Sequence, residues 1–199
     1  MKRRVGWGLM AVLVGALGVV VALRSRPGAS KPSGAPAASS RRCGSSDPVL
    51  SEGQPIPGEC RVEMPAGGGM RTIADLQDAR PMVINFWASW CTFCIREMPD
   101  FQAVYESMGD RVAFLGLDLL GVEGESRAAA ASFARRSGVR YPLAFDSDGL
   151  FYSRLSPRLL MPTTVLIRPD GTIAHRQFGP LDAESLRELI GRHLGVLPG

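Results

Sequence analysis

The stretch WASWCTFCIREMP, residues 87–99, decides the fold of this chain, because it joins a strand pattern to a helix pattern. The apolar run MVINF, residues 82–86, stands directly before it and predicts a buried strand. The pattern from Cys91 to Met108 predicts a helix that begins at the first cysteine. Free amide groups and the helix dipole at such an N-terminus stabilise a thiolate and lower the cysteine pKa.

The spacing of two residues between Cys91 and Cys94 predicts a redox-active pair. Cys91 is the expected attacking thiol, and Cys94, one helical turn further on, is expected to resolve the mixed disulfide. A structural zinc site needs further ligands at short spacing, which the other cysteines and histidines do not provide. Haem attachment requires a histidine directly after the second cysteine, where Ile95 stands.

Strand and helix patterns alternate along the rest of the chain. This alternation, followed by a hairpin and a last helix, predicts an α/β sandwich with a mixed sheet. Three glycines at 67–69 predict a hairpin turn that leads into a short strand and a turn of helix. The further predicted strands are 82–87, 112–118, 141–145, 163–168 and 172–178, and the helices are 91–108, 125–136, 148–155 and 182–194.

The charge is distributed unevenly along the 199 residues. The chain has 23 Lys and Arg and 19 Asp and Glu, but residues 1–42 contain eight of the basic residues and none of the acidic ones. The part of the chain from Cys43 onward therefore contains 15 basic and 19 acidic residues. The high isoelectric point describes the N-terminal part, and a nucleic-acid partner is not expected for the folded domain.

The N-terminal part predicts a membrane anchor and a tether. Residues 5–23 carry no charge, and as a helix they would be about 28 Å long, which matches the hydrocarbon core of a bilayer. We therefore expect residues 1–23 to form a single transmembrane helix, with a cleaved signal sequence as the alternative. Residues 24–42 are rich in Pro, Gly, Ala and Ser and predict a flexible linker, so residues 43–199 form the predicted folded domain.

Cys43 and Cys60 bracket a loop rich in Pro, Gly and Ser at the entrance of this domain. In an oxidising, extracytoplasmic compartment a structural disulfide between them is the simplest expectation. The alternatives are a lipidated Cys43 and an additional redox pair.

The quoted motif, together with MPTTVLIRPDG at residues 161–171, resembles the TlpA/ResA group of membrane-anchored extracytoplasmic thioredoxin-fold proteins. Many members of that group are thiol-disulfide reductases in cytochrome c maturation. The resemblance covers about residues 55–195. It implies a thioredoxin-like sandwich in which residues 125–145 form the central strand-helix insertion of the group.

The resemblance also implies roles for individual residues. The bond between Met161 and Pro162 is expected to be cis and to face the cysteines, with the Met161 backbone free to pair with an extended substrate. Glu97 is expected to move a proton at Cys94, because the neutral Asn85 stands where cytoplasmic thioredoxins carry a buried aspartate. The expected substrate contacts are Trp90, Thr92, Phe93, Met161 and Pro162.

We therefore predict a thiol-disulfide oxidoreductase without a metal or separate cofactor, whose redox group is the Cys91–Cys94 disulfide. Its expected partners are protein thiols and disulfides, apocytochrome c among them, and an upstream membrane electron donor. Thr92-Phe93 lacks the proline that is usual between the cysteines, so the direction of transfer stays open. The alternatives are an oxidant that forms disulfides in exported proteins and a copper(I) carrier that uses both thiolates.

Overall fold

A computed structural model of the protein describes Cys43 and residues 48–197. The predicted anchor, residues 1–23, and the predicted linker, residues 24–42, lie outside these described residues. Within them, no helix has the length and apolar character needed to cross a bilayer. Their strands are β1 (Arg61–Glu63), β2 (Met70–Thr72), β3 (Met82–Trp87), β4 (Ala113–Asp118), β5 (Leu143–Phe145), β6 (Thr163–Ile167) and β7 (Ile173–Phe178), and their α-helices are α1 (Ile73–Gln77), α2 (Thr92–Met108), α3 (Arg127–Ser137), α4 (Leu150–Leu155) and α5 (Ala183–Leu194).

The strands form one mixed sheet in the order β2-β1-β5-β4-β3-β6-β7. The central strands β3, β4 and β5 are parallel. β6 and β7 continue the sheet antiparallel on one side, and the β1–β2 hairpin does so on the other. The mixed α/β sheet that the sequence predicts is confirmed, with α3 and β5 inside the segment predicted as the central insertion.

The sheet is buried on both faces, which explains why β3 is apolar apart from Asn85. Its side chains alternate between two clusters. Val83 and Trp87 pack on the face covered by α2 and α5, where Phe101 and Ile190 lie. Residues of β3 with the opposite parity, such as Phe86, pack on the face covered by α1 and α4. The end of β3 is therefore held firmly from both sides.

Side-chain caps set the starts of the helices. Ser126 Oγ accepts from the Ala129 amide at 3.2 Å at the start of α3, and Asp182 Oδ1 accepts from the Ser185 amide at 2.8 Å at the start of α5. Residue 148 was predicted to open α4, which instead begins at Leu150, because Gly149 precedes it with a φ of 68°. A residue with left-handed backbone angles cannot be part of a right-handed helix, so Gly149 precedes α4 as its N-cap.

The segment before β1 covers the outer edge of the sheet. The Gly53 amide donates to the Ile173 carbonyl at 2.8 Å, and the Ile173 amide donates to the Gln54 carbonyl at 2.9 Å. An uncovered edge strand would offer its backbone to other chains. Cys43 and Cys60, both buried, are joined by a disulfide that anchors the start of this segment.

Replacing both Cys43 and Cys60 by alanine is expected to lower the free energy of unfolding. The two residues are 17 positions apart, and a closed loop of that size restricts the unfolded chain by about 3 kcal/mol. Urea unfolding of the oxidised protein measures the change. The matched control replaces Cys91 and Cys94 by alanine, which opens a loop of only three positions. Equal losses in both variants would contradict the prediction.

Candidate active site

The loop between β3 and α2 delivers Cys91 to the first turn of a 17-residue helix. Cys91 is the N-cap residue of α2, with extended backbone angles, and its Sγ accepts a hydrogen bond from the Cys94 amide at 3.2 Å. This amide is one of the donors that a helix N-terminus leaves without a backbone partner. The same donor and the helix dipole would stabilise a negative charge on the Cys91 sulfur in the reduced protein.

Cys91 and Cys94 form a disulfide in the structure. Cys91 is 5% exposed, whereas Cys94 is completely buried. Both cysteines are buried in the oxidised form, and Cys91 is the one with some surface at which a substrate could approach. The geometry supports the attacking role predicted for the first cysteine and the resolving role predicted for the second.

Glu97 is buried beneath the same helix, with only 2% of its surface exposed. Asn85 Nδ2 donates to Glu97 Oε1 at 2.7 Å, and the Leu181 amide donates to Glu97 Oε2 at 3.0 Å. Burial raises the pKa of the Glu97 carboxyl to about 7, although both hydrogen bonds favour its ionised form. The group can thus gain or lose a proton near neutral pH, and a solvated glutamate at this position is ruled out.

A cleft of about 300 Å³ lies beside Glu97, between the start of α2 and the loop before α5. It gives a route by which solvent protons can reach the otherwise buried carboxyl. Asp100 lies in the cleft, and its negative charge adds to the rise in the Glu97 pKa. The cleft is lined by Arg96, Glu97, Asp100, Pro180, Leu181 and Asp182.

The Met161–Pro162 peptide bond is cis and directly precedes β6. Thr163 pairs with Phe86, the residue before the end of β3, so Pro162 lies near the junction from which the cysteine loop departs. The Gly179 amide donates to the Pro162 carbonyl at 3.0 Å. Met161 packs against the cluster that contains both active-site cysteines. The fold thus brings the two predicted parts of the site together.

Apolar side chains are exposed around the cysteine pair. Trp90 and Phe93 are 39% and 53% exposed, and the Arg96 guanidinium lies 4.8 Å above the Phe93 ring. Thr92, between the cysteines, is also exposed. Sequence reasoning missed Leu159 and Leu160, which are more than a third exposed just before Met161-Pro162. The sequence does contain a signal for them, because two adjacent leucines outside any predicted helix or strand can indicate an exposed apolar surface.

Comparison with known proteins agrees with this geometry. The model of the AhpC/TSA family matches residues 54–176. The chain belongs to this family. It is 30% identical over 144 residues to the thiol-disulfide oxidoreductase ResA of Bacillus subtilis, an alignment that covers 71% of this chain and 75% of ResA. This AhpC/TSA protein is therefore a member of the ResA-like thiol-disulfide oxidoreductases, which confirms the resemblance seen in the sequence.

Other relatives support the same assignment. The sporulation thiol-disulfide oxidoreductase A of B. subtilis is 29% identical over 107 residues, which cover 53% of this chain and 64% of that protein. The crystal structure of StoA from B. subtilis superposes with a TM-score of 0.54 at 26% identity, over 64% of this chain and 92% of that one. A secreted disulfide oxidoreductase of Mycobacterium tuberculosis gives a TM-score of 0.55 at 28% identity, over 68% and 95%.

Replacing Glu97 by glutamine is expected to remove the pH dependence of the resolving step. In the wild type this step is expected to become faster as the pH rises through about 7, because an ionised Glu97 carboxylate could accept the Cys94 proton. The variant lacks that base and should be slower by about 100-fold at pH 8. Single-turnover reaction of the reduced protein with an aromatic disulfide, followed by thiolate absorbance, measures both thiolate releases.

The matched control is Glu106→Gln, an exposed glutamate on the same helix. It should keep the wild-type profile. A Glu97→Gln variant whose second release still accelerates through pH 7 would exclude Glu97 as the base.

Proposed function

We propose that this oxidoreductase reduces disulfides of extracytoplasmic proteins with the Cys91–Cys94 dithiol. The observation that carries the proposal is the pairing of a slightly exposed cysteine at a helix N-terminus with a completely buried one, beside a carboxyl whose pKa is raised to about 7. An inert structural disulfide has no use for a titrating carboxyl. A two-step exchange requires one, because it must remove the proton of the second thiol.

In the first step the Cys91 thiolate attacks a substrate disulfide. A mixed disulfide forms between Cys91 and the substrate, and one substrate sulfur leaves as a thiolate. The Cys94 amide, which donates to Cys91 Sγ in the oxidised form, stabilises the attacking thiolate before this step. The exposed rings of Trp90 and Phe93 contact the substrate beside the reacting sulfur.

In the second step Cys94 resolves the mixed disulfide. The Glu97 carboxylate accepts the Cys94 proton, and the new thiolate attacks Cys91 Sγ, which forms the internal disulfide and releases the second substrate thiolate. Two electrons have then passed from the dithiol to the substrate. Asn85 and the Leu181 amide hold the carboxylate for this transfer.

The environment of the pair favours reduction as the direction. Above pH 7 the buried Glu97 carboxylate lies one helical turn from Cys94, and a like charge disfavours the thiolate of the reduced pair. The Glu97 charge thus opposes the stabilisation that the helix N-terminus gives to the Cys91 thiolate. The less the reduced form is stabilised, the lower the reduction potential, whereas strong oxidants of this fold stabilise their reduced form.

The substrate is recognised as an extended polypeptide beside the cis Met161–Pro162 bond. Thr92 and the exposed side chains of Trp90 and Phe93 form one wall of this site, and Leu159 and Leu160 extend the apolar surface. Apocytochrome c is the proposed substrate by resemblance to the TlpA/ResA group. An upstream membrane dithiol donor returns the pair to its reduced state, and residues 1–23 anchor the domain on the extracytoplasmic side.

Replacement of Cys94 by alanine is expected to trap the covalent intermediate. Cys91 can still attack, but nothing then resolves the adduct, so reduced Cys94→Ala should accumulate a mixed disulfide that disappears on treatment with dithiothreitol. Non-reducing electrophoresis with a denatured disulfide-containing protein measures the adduct. Cys91→Ala is the matched variant and should form none. An adduct through Cys94 instead would reverse the assigned roles.

The reduction potential of the pair tests the direction. A value near that of thioredoxin, about −270 mV, is expected for a reductase. A value near that of the strong oxidants, about −120 mV, would indicate a protein that forms disulfides. Equilibration with glutathione or dithiothreitol buffers gives the value. Stoichiometric copper(I) in protein purified under reducing conditions, with no insulin reduction, would instead indicate a carrier.

A further inference from the structure

The short loop between Trp87 and Cys91 is held by a glutamate from another part of the chain. The Ser89 amide donates to Glu125 Oε2 at 2.5 Å, and Ser89 Oγ donates to Glu125 Oε1 at 3.0 Å. The Ser126 amide donates to Glu125 Oε1 as well, at 3.0 Å. Ser89 is the middle residue of the loop that sets the position of Cys91, so Glu125 restrains the active site from 36 positions away.

The backbone around Glu125 is itself fixed. The Gly121 amide donates to the Glu125 carbonyl at 3.1 Å, and the Glu125 amide donates to the Val122 carbonyl at 3.0 Å. The side chain is only 4% exposed. Three hydrogen bonds thus converge on this one buried carboxylate. Glu125 is a rigid anchor for the loop.

A second acidic residue, Asp118, is buried beside this anchor. It ends β4 and lies opposite Trp87 in the parallel register with β3. Its side chain has no exposed surface, and within the described residues neither of its carboxyl oxygens has a hydrogen-bond partner. Burial and the negative charge of Glu125 raise the pKa of Asp118 to about 8. Asp118 is therefore neutral at pH 7.

The other ionisable groups around Asp118 are engaged elsewhere. The Asp146 amide donates to the Asp118 carbonyl at 2.8 Å, but the Asp146 carboxyl accepts from amides in the first turn of α4. Arg127 lies over the ring of Phe145, the strand partner of Asp118, and its guanidinium pairs with Glu63. Within the described residues, no ion pair links Asp118 to a basic side chain.

The remaining neighbours of this face are uncharged. The nearest is Leu143, whose Cδ2 lies 2.5 Å from the position that a Cβ on Gly116 would occupy. Trp87 Nε1 and the Tyr141 ring lie 3.3 Å and 3.0 Å from the position that a Cβ on Gly116 would occupy, next along β4 on the same face as Asp118. Burial raises the pKa of the Tyr141 hydroxyl, so it carries no charge. Among the described residues, Glu125 is the acidic group whose charge acts on Asp118.

We propose that Asp118 and Glu125 are positioning residues of the active site, a buried acid pair in which Glu125 anchors Ser89 through its hydrogen bonds and the buried Asp118 carboxyl, which accepts none within the described residues, controls that anchor. Two carboxyls in one buried site cannot both ionise without strong repulsion. The inference rests on the proposed function, because it assigns the pair to the loop that presents Cys91 for disulfide exchange.

A loss of activity in alkaline solution follows from this arrangement. Ionisation of Asp118 would place a second negative charge beside Glu125, weaken its hold on Ser89, and free the loop that places Cys91 at the helix N-terminus. If the doubly ionised form is inactive, rates should fall about fivefold between pH 8 and pH 9. This fall in rate above pH 8 is separate from the rise in the rate of the resolving step near pH 7, which we assign to Glu97.

The experiment uses the reduced full chain and its Asp118→Asn, Glu125→Gln and Ser89→Ala variants. Two rates are measured from pH 6 to pH 10: alkylation of Cys91 by iodoacetamide, located by mass spectrometry, and reduction of insulin disulfides. The alkylation rate needs no protein substrate, so it tests the acid pair even if the proposed reductase function fails. Glu123→Gln, an exposed glutamate two positions before Glu125, is the matched control.

We expect Asp118→Asn to abolish the alkaline loss of both rates. Glu125→Gln should lower both rates about tenfold at pH 7, because its amide group cannot accept the bonds from Ser89 on both sides, and Ser89→Ala should show a smaller loss. An alkaline loss that persists in Asp118→Asn would overturn the proposal. Unchanged Cys91 alkylation in Glu125→Gln would do the same.

Thermal unfolding gives a readout of the Asp118 protonation state that is independent of function. The folded pKa of about 8 lies above the ordinary value of 3.8, so the folded state retains a proton that the unfolded chain releases. Wild-type stability should therefore fall as the pH rises from about 4 to about 8, and Asp118→Asn should lack that part of the fall. If the Tm values of the wild type and Asp118→Asn differed by the same amount at every pH in this window, Asp118 would be ionised in the folded protein and the proposal would be refuted.

Discussion

The structure depends on the junction at which β3 ends and α2 begins. A strand buried on both faces stops at Trp87, and after three loop residues the chain reaches Cys91, the N-cap residue of the helix, which carries the reactive sulfur. Because both faces of β3 are packed, this end cannot shift, and the helix dipole points at a fixed place. The chemistry of Cys91 is therefore a property of the sheet as much as of the cysteine.

Buried acids surround this junction on two sides and share one physical cause. Glu97 lies on the buried face of α2, and Asp118 is the last residue of β4. Burial raises the pKa of the Glu97 carboxyl to about 7 and that of the Asp118 carboxyl to about 8. Their hydrogen bonding differs. Glu97 accepts from Asn85 and Leu181 and can exchange a proton during catalysis, whereas the orphaned oxygens of Asp118 suit a group that stays neutral. Environment thus separates the roles of two chemically similar side chains.

Much of the fold could be predicted, and the differences have local causes. The strand over 82–87 matches β3 from end to end, because a largely apolar run of only six residues is too short for a typical helix and favours a buried strand. α4 begins two residues later than predicted, after Gly149 in a left-handed conformation. β5 begins at Leu143, since Pro142 has no amide to give to a ladder. Such boundaries depend on single backbone angles that a hydrophobic pattern does not encode.

The sequence by itself determined the redox pair, its order along the helix and the carboxyl one turn beyond it, because these features depend on spacing within a single helix. Tertiary structure alone decided which carboxyls titrate. The bonds from Leu181 to Glu97 and from Ser89 to Glu125 join residues 84 and 36 positions apart. The pKa of a carboxyl depends on what packs over it and which donors reach it, and only the folded sheet brings those groups together.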